Sequence, residues 1–223
     1  MSSKTAPPTP FIALAALASL AALAAIFFYA PREAVQGEVQ RVLYIHVGTA
    51  LAAYISFLVT AAASVAVLAG RGDAADRLAR SAAIVGVVFT TVVLATGAIW
   101  GRAVWGVWWT WDARLTTTLV LWFVQAGYLL LRGWIDEPRR RGRLAAYIGI
   151  LGAVIVPINY MSAYWWRTLH PQPSVIAPDS PGLPPAMSHT LIAAAIAVLL
   201  VWGVMLWWQL AIEKAADRLE GLA

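Results

Sequence analysis

Six stretches without Asp, Glu, Lys or Arg constrain the fold of this chain more than any other feature. They comprise residues 11–30, 42–70, 81–101, 115–131, 144–166 and 187–212. Each supplies the roughly 17–25 residues that a helix needs to cross a bilayer. A segment inside hydrocarbon must satisfy its own backbone hydrogen bonds, which favours helices. The sequence therefore predicts an all-α integral membrane protein with six transmembrane helices in a single domain, residues 1–223.

The composition agrees with a membrane protein and excludes several kinds of chemistry. The chain is 61% hydrophobic and 12% charged, against about 45–50% and about 25% in soluble domains. It has no cysteine, which excludes disulfides, thiolate metal sites, thiol catalysis and covalent thioether attachment of a cofactor. The net charge of +5 is explained by basic loops beside the membrane, so we expect no nucleic-acid partner.

The first stretch has a second interpretation, as a signal peptide. Lys4 precedes it, and the segment from Phe28 to Ala30 is loosely like a cleavage site. However, its apolar core exceeds the roughly 7–15 residues of a signal peptide, and Pro31 follows the candidate cleavage site directly. We therefore expect a retained helix.

The orientation follows from the Lys and Arg residues in alternate loops. One side of the six-helix arrangement receives eleven of them and the other side five. Because cytoplasmic loops carry the excess of Lys and Arg, we place both termini in the cytoplasm. The external loops then include a Trp-rich loop at 102–114 and a Pro-rich loop at 167–186.

Ionisable residues are missing from the middle of every predicted span, which disfavours a charge-relay transporter. Gln125 and Asn159 are amide side chains within the spans, and we expect them to form hydrogen bonds between helices.

The three histidines and seven of the twelve tryptophans fall on the predicted external side. The histidines are His46, His170 and His189. Four tryptophans lie within residues 105–111, and Asp112 and Arg114 follow at once. Trp134, Trp207 and Trp208 at the inner ends are explained by an aromatic belt at the membrane boundary, but a belt does not explain so dense an external group.

A dense group of indoles forms a flat apolar surface with N–H donors along its edge, which suits a planar aromatic ligand with polar edges. Haem is one such ligand, with two imidazoles at its iron and Arg102, Arg114 or Arg167 at its propionates. At this point a quinone or a lipid remains an alternative.

Three motifs resemble those of a known family. The string from Trp105 to Thr116, WGVWWTWDARLT, resembles the tryptophan-rich WWD signature of haem-handling membrane proteins in cytochrome c maturation. The segments 41–47 (RVLYIHV) and 164–170 (YWWRTLH) resemble the flanking histidine motifs of the haem exporter protein C family, CcmC. With the motifs in this order, six predicted helices and about the right length, the resemblance covers nearly the whole chain.

The resemblance implies a non-covalent haem b site at the periplasmic face of the cytoplasmic (inner) membrane, with His46 and His170 as axial ligands. The implied platform residues are Trp105, Gly106, Trp108, Trp109, Trp111, Asp112, Arg114, Trp165 and Trp166. His189 matches no family motif, and we expect it to be a loop or helix-entry residue.

The resemblance also implies a function without bond-making catalysis, in which the chain presents haem to the haem chaperone CcmE. The implied partners are CcmA, CcmB and CcmD, besides membrane lipid. One alternative is a cytochrome c synthetase or haem lyase of the CcsA or CcmF type, which shares the WWD signature but is larger. Another is a haem-translocating permease, which requires a polar or widened path between helices, and the spans show no line of residues for it.

The predicted orientation is tested by labelling single cysteines introduced into this cysteine-free chain. We expect a cysteine near Arg140 to react only from the cytoplasmic side, and cysteines near Trp108 and Pro173 only from the outside, because basic loops stay in the cytoplasm. Labelling near Trp108 and Arg140 from the same side would contradict the six-helix topology.

Overall fold

A computed structural model describes residues 6–166, 168–170 and 182–220, and within these residues the chain forms six long helices. They are α1 (Thr9–Ala24, extended by a π-helical turn Ala25–Tyr29), α2 (Val42–Leu68, preceded by a 3-10 turn Glu38–Arg41), α3 (Gly72–Trp105), α4 (Ala113–Trp134), α5 (Pro138–Trp165) and α6 (Pro185–Glu220). All six are long and apolar enough to cross a membrane. The predicted six-helix, all-α fold is confirmed.

The helices extend beyond the uncharged stretches, most clearly in α3. This helix begins at Gly72 rather than near residue 81 and ends at Trp105, so the first residues of the predicted 102–114 loop are helical and the connection is 106–112. The extended parts of the helices contain charged residues, and these side chains form ion pairs between helices. Arg132 bonds Asp76 at 2.5 and 2.7 Å, and Arg80 bonds Glu213 at 2.8 Å.

The sixth helix likewise exceeds its predicted span. It begins at Pro185, inside the predicted 167–186 loop, and continues to Glu220. Its last turns are held to the start of α3 by a 2.6 Å ion pair between Arg77 and Asp217.

Helix α2 lies at the centre of the bundle and packs against α3, α5 and α6. Helix α4 packs between α3 and α5, and α1 packs on α6. Glycines on α5 allow α2 to approach closely, since a Cβ on Gly152 would lie 2.9 Å from the Phe57 ring. Small residues at helix contacts are the usual means of close packing in membranes, where lipid offers no hydrophobic advantage.

Helix α2 carries a row of buried polar side chains, whereas the sequence predicted no line of polar residues along a span. Ser56, Thr60 and Ser64 follow one another at four-residue spacing and are buried. The row does not widen the bundle, because a Cβ on Gly149 of α5 would lie only 2.5 Å from the Ser64 hydroxyl oxygen. At this contact, α2 and α5 leave no room between them for a molecule the size of haem.

The close α2–α5 contact predicts that Gly152→Ala destabilises the protein, because the added methyl group meets the buried Phe57 ring. We expect the free energy of unfolding in detergent to fall by about 1–3 kcal/mol, as for overpacked cores. Gly127→Ala is the matched control, since nothing lies within 4 Å of a Cβ at this position on α4. Equal stability of the two variants would contradict the packing described.

Candidate functional site

A cavity lies among α2, α3, α4 and α5 at the end of the bundle that carries the Trp-rich connection. Five of the predicted site residues line it: His46, Trp105, Trp109, Arg114 and His170. Deeper in the bundle its wall is mainly apolar, formed by Phe57, Val93, Leu94 and Leu121.

Both predicted axial histidines line this cavity. The ring centroids of His46 and His170 are 6.4 Å apart, and the ring planes are inclined by 40°. A metal lies about 2.0–2.1 Å from an imidazole nitrogen, and that nitrogen about 1.1 Å from the ring centroid, so two imidazoles on opposite sides of one ion have centroids about 6.3 Å apart. The observed centroid spacing is close to this value.

Helix α3 forms the wall behind His46. The imidazole Nδ1 lies 2.8 Å from the Thr96 hydroxyl oxygen, and the ring makes an edge contact with Trp100 at 5.9 Å between centroids. Gly97 provides the space for the ring, because a Cβ there would lie 3.2 Å from Cε1 of His46. The sequence analysis did not predict roles for Thr96 or Gly97, since a small residue on an apolar helix gives no signal without its neighbour.

Trp100 connects this wall to the segment between α1 and α2 and to Trp105. Its Nε1–H donates to the Gln36 side-chain oxygen at 2.9 Å, which holds the α1–α2 connection against α3. Its ring stacks on Trp105 with centroids 6.3 Å apart. Trp100, one of the seven tryptophans predicted for the external side, is buried and also lines the cavity.

Both ends of the Trp-rich connection are held by helix caps. Gly106 ends α3 in the left-handed region with φ of 77°, a conformation that favours glycine. Asp112 is the N-cap of α4, where its carboxylate accepts a hydrogen bond from the Leu115 N–H at 2.9 Å and from the Thr110 hydroxyl at 3.1 Å. In the structure, Gly106 and Asp112 shape the connection but do not line the cavity.

The tryptophans of the predicted platform divide into two groups. Trp105 and Trp109 line the cavity, and the buried Nε1–H of Trp109 has no acceptor among the described residues. Four other predicted platform tryptophans point outward, with exposed fractions of 60% for Trp108, 76% for Trp111, 57% for Trp165 and 50% for Trp166. The cavity wall and the outer aromatic surface are therefore formed by different residues of the same motifs.

Asn159 connects three helices at the cavity wall, as expected of an amide within a span. Its Nδ2 donates to the hydroxyl oxygens of Thr117 at 2.7 Å and Thr118 at 3.0 Å on α4. Its side-chain oxygen accepts a hydrogen bond from the Tyr54 hydroxyl on α2. Gln125 differs from the expectation, since neither atom of its buried amide finds a partner in the described part of the chain.

The guanidinium of Arg114 belongs to the same network. Its Nη1 donates to the backbone oxygens of Asn159 at 2.8 Å and Tyr160 at 2.9 Å on α5. Because Arg114 also lines the cavity, these bonds fix a positive charge in the wall. A fixed cation suits a ligand that carries carboxylates.

The remaining basic and histidine candidates lie elsewhere. His189 is exposed in the first turn of α6, where its Nδ1 lies 3.2 Å from the Tyr29 hydroxyl and its ring stacks on that of Tyr29. Arg102 is exposed and donates to the backbone oxygen of Gly106. Arg167, the third candidate for a propionate contact, lies outside the described residues.

A family model described as heme exporter protein C matches residues 1–220. The chain belongs to the haem exporter protein C family. Membership confirms the resemblance predicted from the WWD string and the two histidine motifs.

Curated proteins of the same name are similar over much of the chain. Heme exporter protein C of Bradyrhizobium diazoefficiens is 37% identical over 173 residues, covering 78% of this chain and 66% of that protein. The Escherichia coli K12 protein is 38% identical over 144 residues, covering 65% and 59%. The Haemophilus influenzae protein is 32% identical over 188 residues, covering 83% and 76%. The chain thus spans just under two thirds of the first of these relatives and about three fifths of the second.

The network around Asn159 is tested with a double-mutant cycle on unfolding in detergent. We expect Asn159→Ala and Tyr54→Phe each to destabilise the protein, and their effects to be coupled by about 0.5–3 kcal/mol because each removes the other's partner. Tyr44→Phe is the control on α2, since its hydroxyl lies near Gln40 instead, at 3.4 Å, and its effect should add to that of Asn159→Ala. Additive effects for Tyr54 and Asn159 would contradict the network.

Proposed function

We propose that this member of the family binds haem between His46 and His170 and presents it to the haem chaperone CcmE in cytochrome c maturation. The observation that carries the proposal is the 6.4 Å spacing of the two imidazole centroids inside a cavity walled by Trp105 and Trp109. Imidazole is a common axial ligand of haem iron. Indole faces provide the apolar contact that a porphyrin needs.

Arg114 and Trp109 support a ligand with carboxylate edges. A guanidinium has five N–H donors in a rigid fork, and two backbone oxygens hold that of Arg114 in the wall. The buried Nε1–H of Trp109 lacks an acceptor among the described residues. A buried donor without an acceptor costs about 1–3 kcal/mol. A propionate is the part of haem that satisfies such donors.

The outer tryptophans support delivery to a partner. Trp108, Trp111, Trp165 and Trp166 expose half or more of their surface, and tryptophan is enriched where proteins bind one another. In the proposed orientation this surface faces the periplasm from the cytoplasmic membrane. The chaperone approaches it there, and CcmA, CcmB and CcmD complete the complex.

We favour presentation of haem at one face of the membrane over passage of haem through the protein. The α2–α5 contact at Ser64 and Gly149 is closed at side-chain distance, so haem does not pass between these two helices. The residues around the cavity bind and orient a ligand. Holding haem through two imidazoles requires no bond-making residue, and we therefore propose a haem-delivery protein rather than an enzyme.

Haem binding is tested by titrating the detergent-purified protein with haemin and recording oxidised and reduced spectra. We expect a low-spin, two-imidazole spectrum for the unmodified protein. His46→Ala and His170→Ala should each abolish this spectrum and weaken binding about tenfold or more, at least about 1.4 kcal/mol. The cause is the loss of one axial nitrogen.

His189→Ala is the matched control, because this imidazole pairs with Tyr29 away from the cavity. Its spectrum and affinity should equal those of the unmodified protein. Loss of the two-imidazole spectrum in His189→Ala, with a normal spectrum in His170→Ala, would reverse the ligand assignment.

Delivery is tested by transfer of haem from the loaded protein to purified CcmE. Replacing the exposed Trp108 and Trp165 by Ala should slow transfer while haemin affinity stays within about twofold, since neither residue lines the cavity. Trp134→Ala is the control, a still more exposed tryptophan at the inner end. Normal transfer in the Trp108 and Trp165 variants would show that the outer aromatic surface does not receive the chaperone.

A further inference from the structure

We propose that Thr96 holds His46 as the tautomer protonated on Nδ1, so that Nε2 is the nitrogen available to iron. Thr96 would then be a positioning residue, acting on the ligand through His46 without touching haem. The role of Nε2 as an iron ligand rests on the proposed function. The tautomer itself is a property of the haem-free protein.

The hydrogen bonds of the Thr96 hydroxyl determine the direction of its bond to His46. Its oxygen lies 2.7 Å from the backbone oxygen of Val92 and 3.3 Å from that of Val93. A backbone oxygen accepts only, so the single hydroxyl proton is donated within the helix. The same oxygen lies 2.8 Å from Nδ1 of His46. With its proton committed, it meets Nδ1 as an acceptor, and Nδ1 must carry the hydrogen.

The packing of the ring keeps this arrangement in place. His46 is 8% exposed, its Cε1 faces the backbone at Gly97, and Trp100 contacts it edge-on. Rotation of the ring by half a turn about its Cβ–Cγ bond would place a carbon atom beside the Thr96 oxygen and remove the hydrogen bond. Contacts at Nδ1 and Cε1 therefore hold the ring against α3.

A neutral imidazole has one nitrogen that donates and one that accepts. Protonation of Nδ1 leaves the lone pair on Nε2, and a hydrogen bond from the protonated nitrogen fixes the ring orientation and raises the basicity of the other nitrogen. Without an acceptor at position 96, the tautomer protonated on Nε2 is populated as well. In that tautomer Nε2 has no free lone pair for iron.

The test uses Thr96→Val, which keeps the shape of the side chain and removes the acceptor, and Thr96→Ser, which restores a hydroxyl. Thr91→Val is the matched control on the same helix. The Thr91 hydroxyl donates to the Val87 backbone oxygen at 2.8 Å and accepts from the Trp122 ring N–H at 2.8 Å, so it has the same bonding pattern with a tryptophan in place of His46.

The first measurement is nitrogen NMR of the haem-free protein labelled with ¹⁵N-histidine, at about pH 8, where imidazoles are ordinarily neutral. The chain has three histidines, so His170→Ala and His189→Ala assign the signals. We expect Nδ1–H on His46 in the unmodified protein, Thr96→Ser and Thr91→Val, and a shift toward Nε2–H in Thr96→Val. An Nε2–H signal from His46 in the unmodified protein would overturn the proposal. This result does not depend on whether Thr96→Val folds.

The second measurement is haemin affinity. Thr96→Val should bind haemin about 10–100-fold more weakly, the usual cost of losing an outer-shell partner of a ligating histidine. Thr96→Ser and Thr91→Val should bind like the unmodified protein. If His46→Ala weakens haemin binding but Thr96→Val does not, the positioning role of Thr96 is refuted. If the unmodified protein shows Nδ1–H but binds no haemin, the proposed function fails while the tautomer assignment stands.

Discussion

The cavity depends on one polar constraint, the need to pair the hydrogen-bonding groups of its wall where helices separate inside a membrane. Asn159 meets this need for three helices at once, through Tyr54 on α2 and two threonines on α4. Arg114 adds bonds from α4 to the α5 backbone. These contacts hold α4 and α5 together where the bundle opens, so the opening has a polar, fixed wall on one side and the aromatic wall of α3 on the other.

The fold was largely predictable because the thickness of hydrocarbon imposes a length on every spanning helix. The ends of the helices were not. From the sequence, Asp76 and Arg132 were expected to lie in loops, whereas in the structure they form an ion pair between α3 and α4. A pairing between residues distant in sequence has no signature in either segment alone, and for this reason the extension of α3 at its N-terminal end was not predicted.

The site was predictable in its residue types and only partly in its geometry. The WWD string and the two histidine motifs led to His46, Trp105, Trp109, Arg114 and His170, which do line one cavity. The motif does not say which of two adjacent tryptophans faces inward, because this depends on the backbone between two helix ends. Thr96 carries no signal at all, since its contact with His46 exists only after α2 and α3 have packed.

The connection between α3 and α4 consists of residues 106–112 only, and a cap closes the helix at each end. Within it, Trp108 faces outward while its neighbour Trp109 lines the cavity. A single peptide bond joins these two residues. Whatever touches the surface at Trp108 and whatever occupies the cavity at Trp109 are therefore in contact with adjacent residues of one short, doubly capped segment.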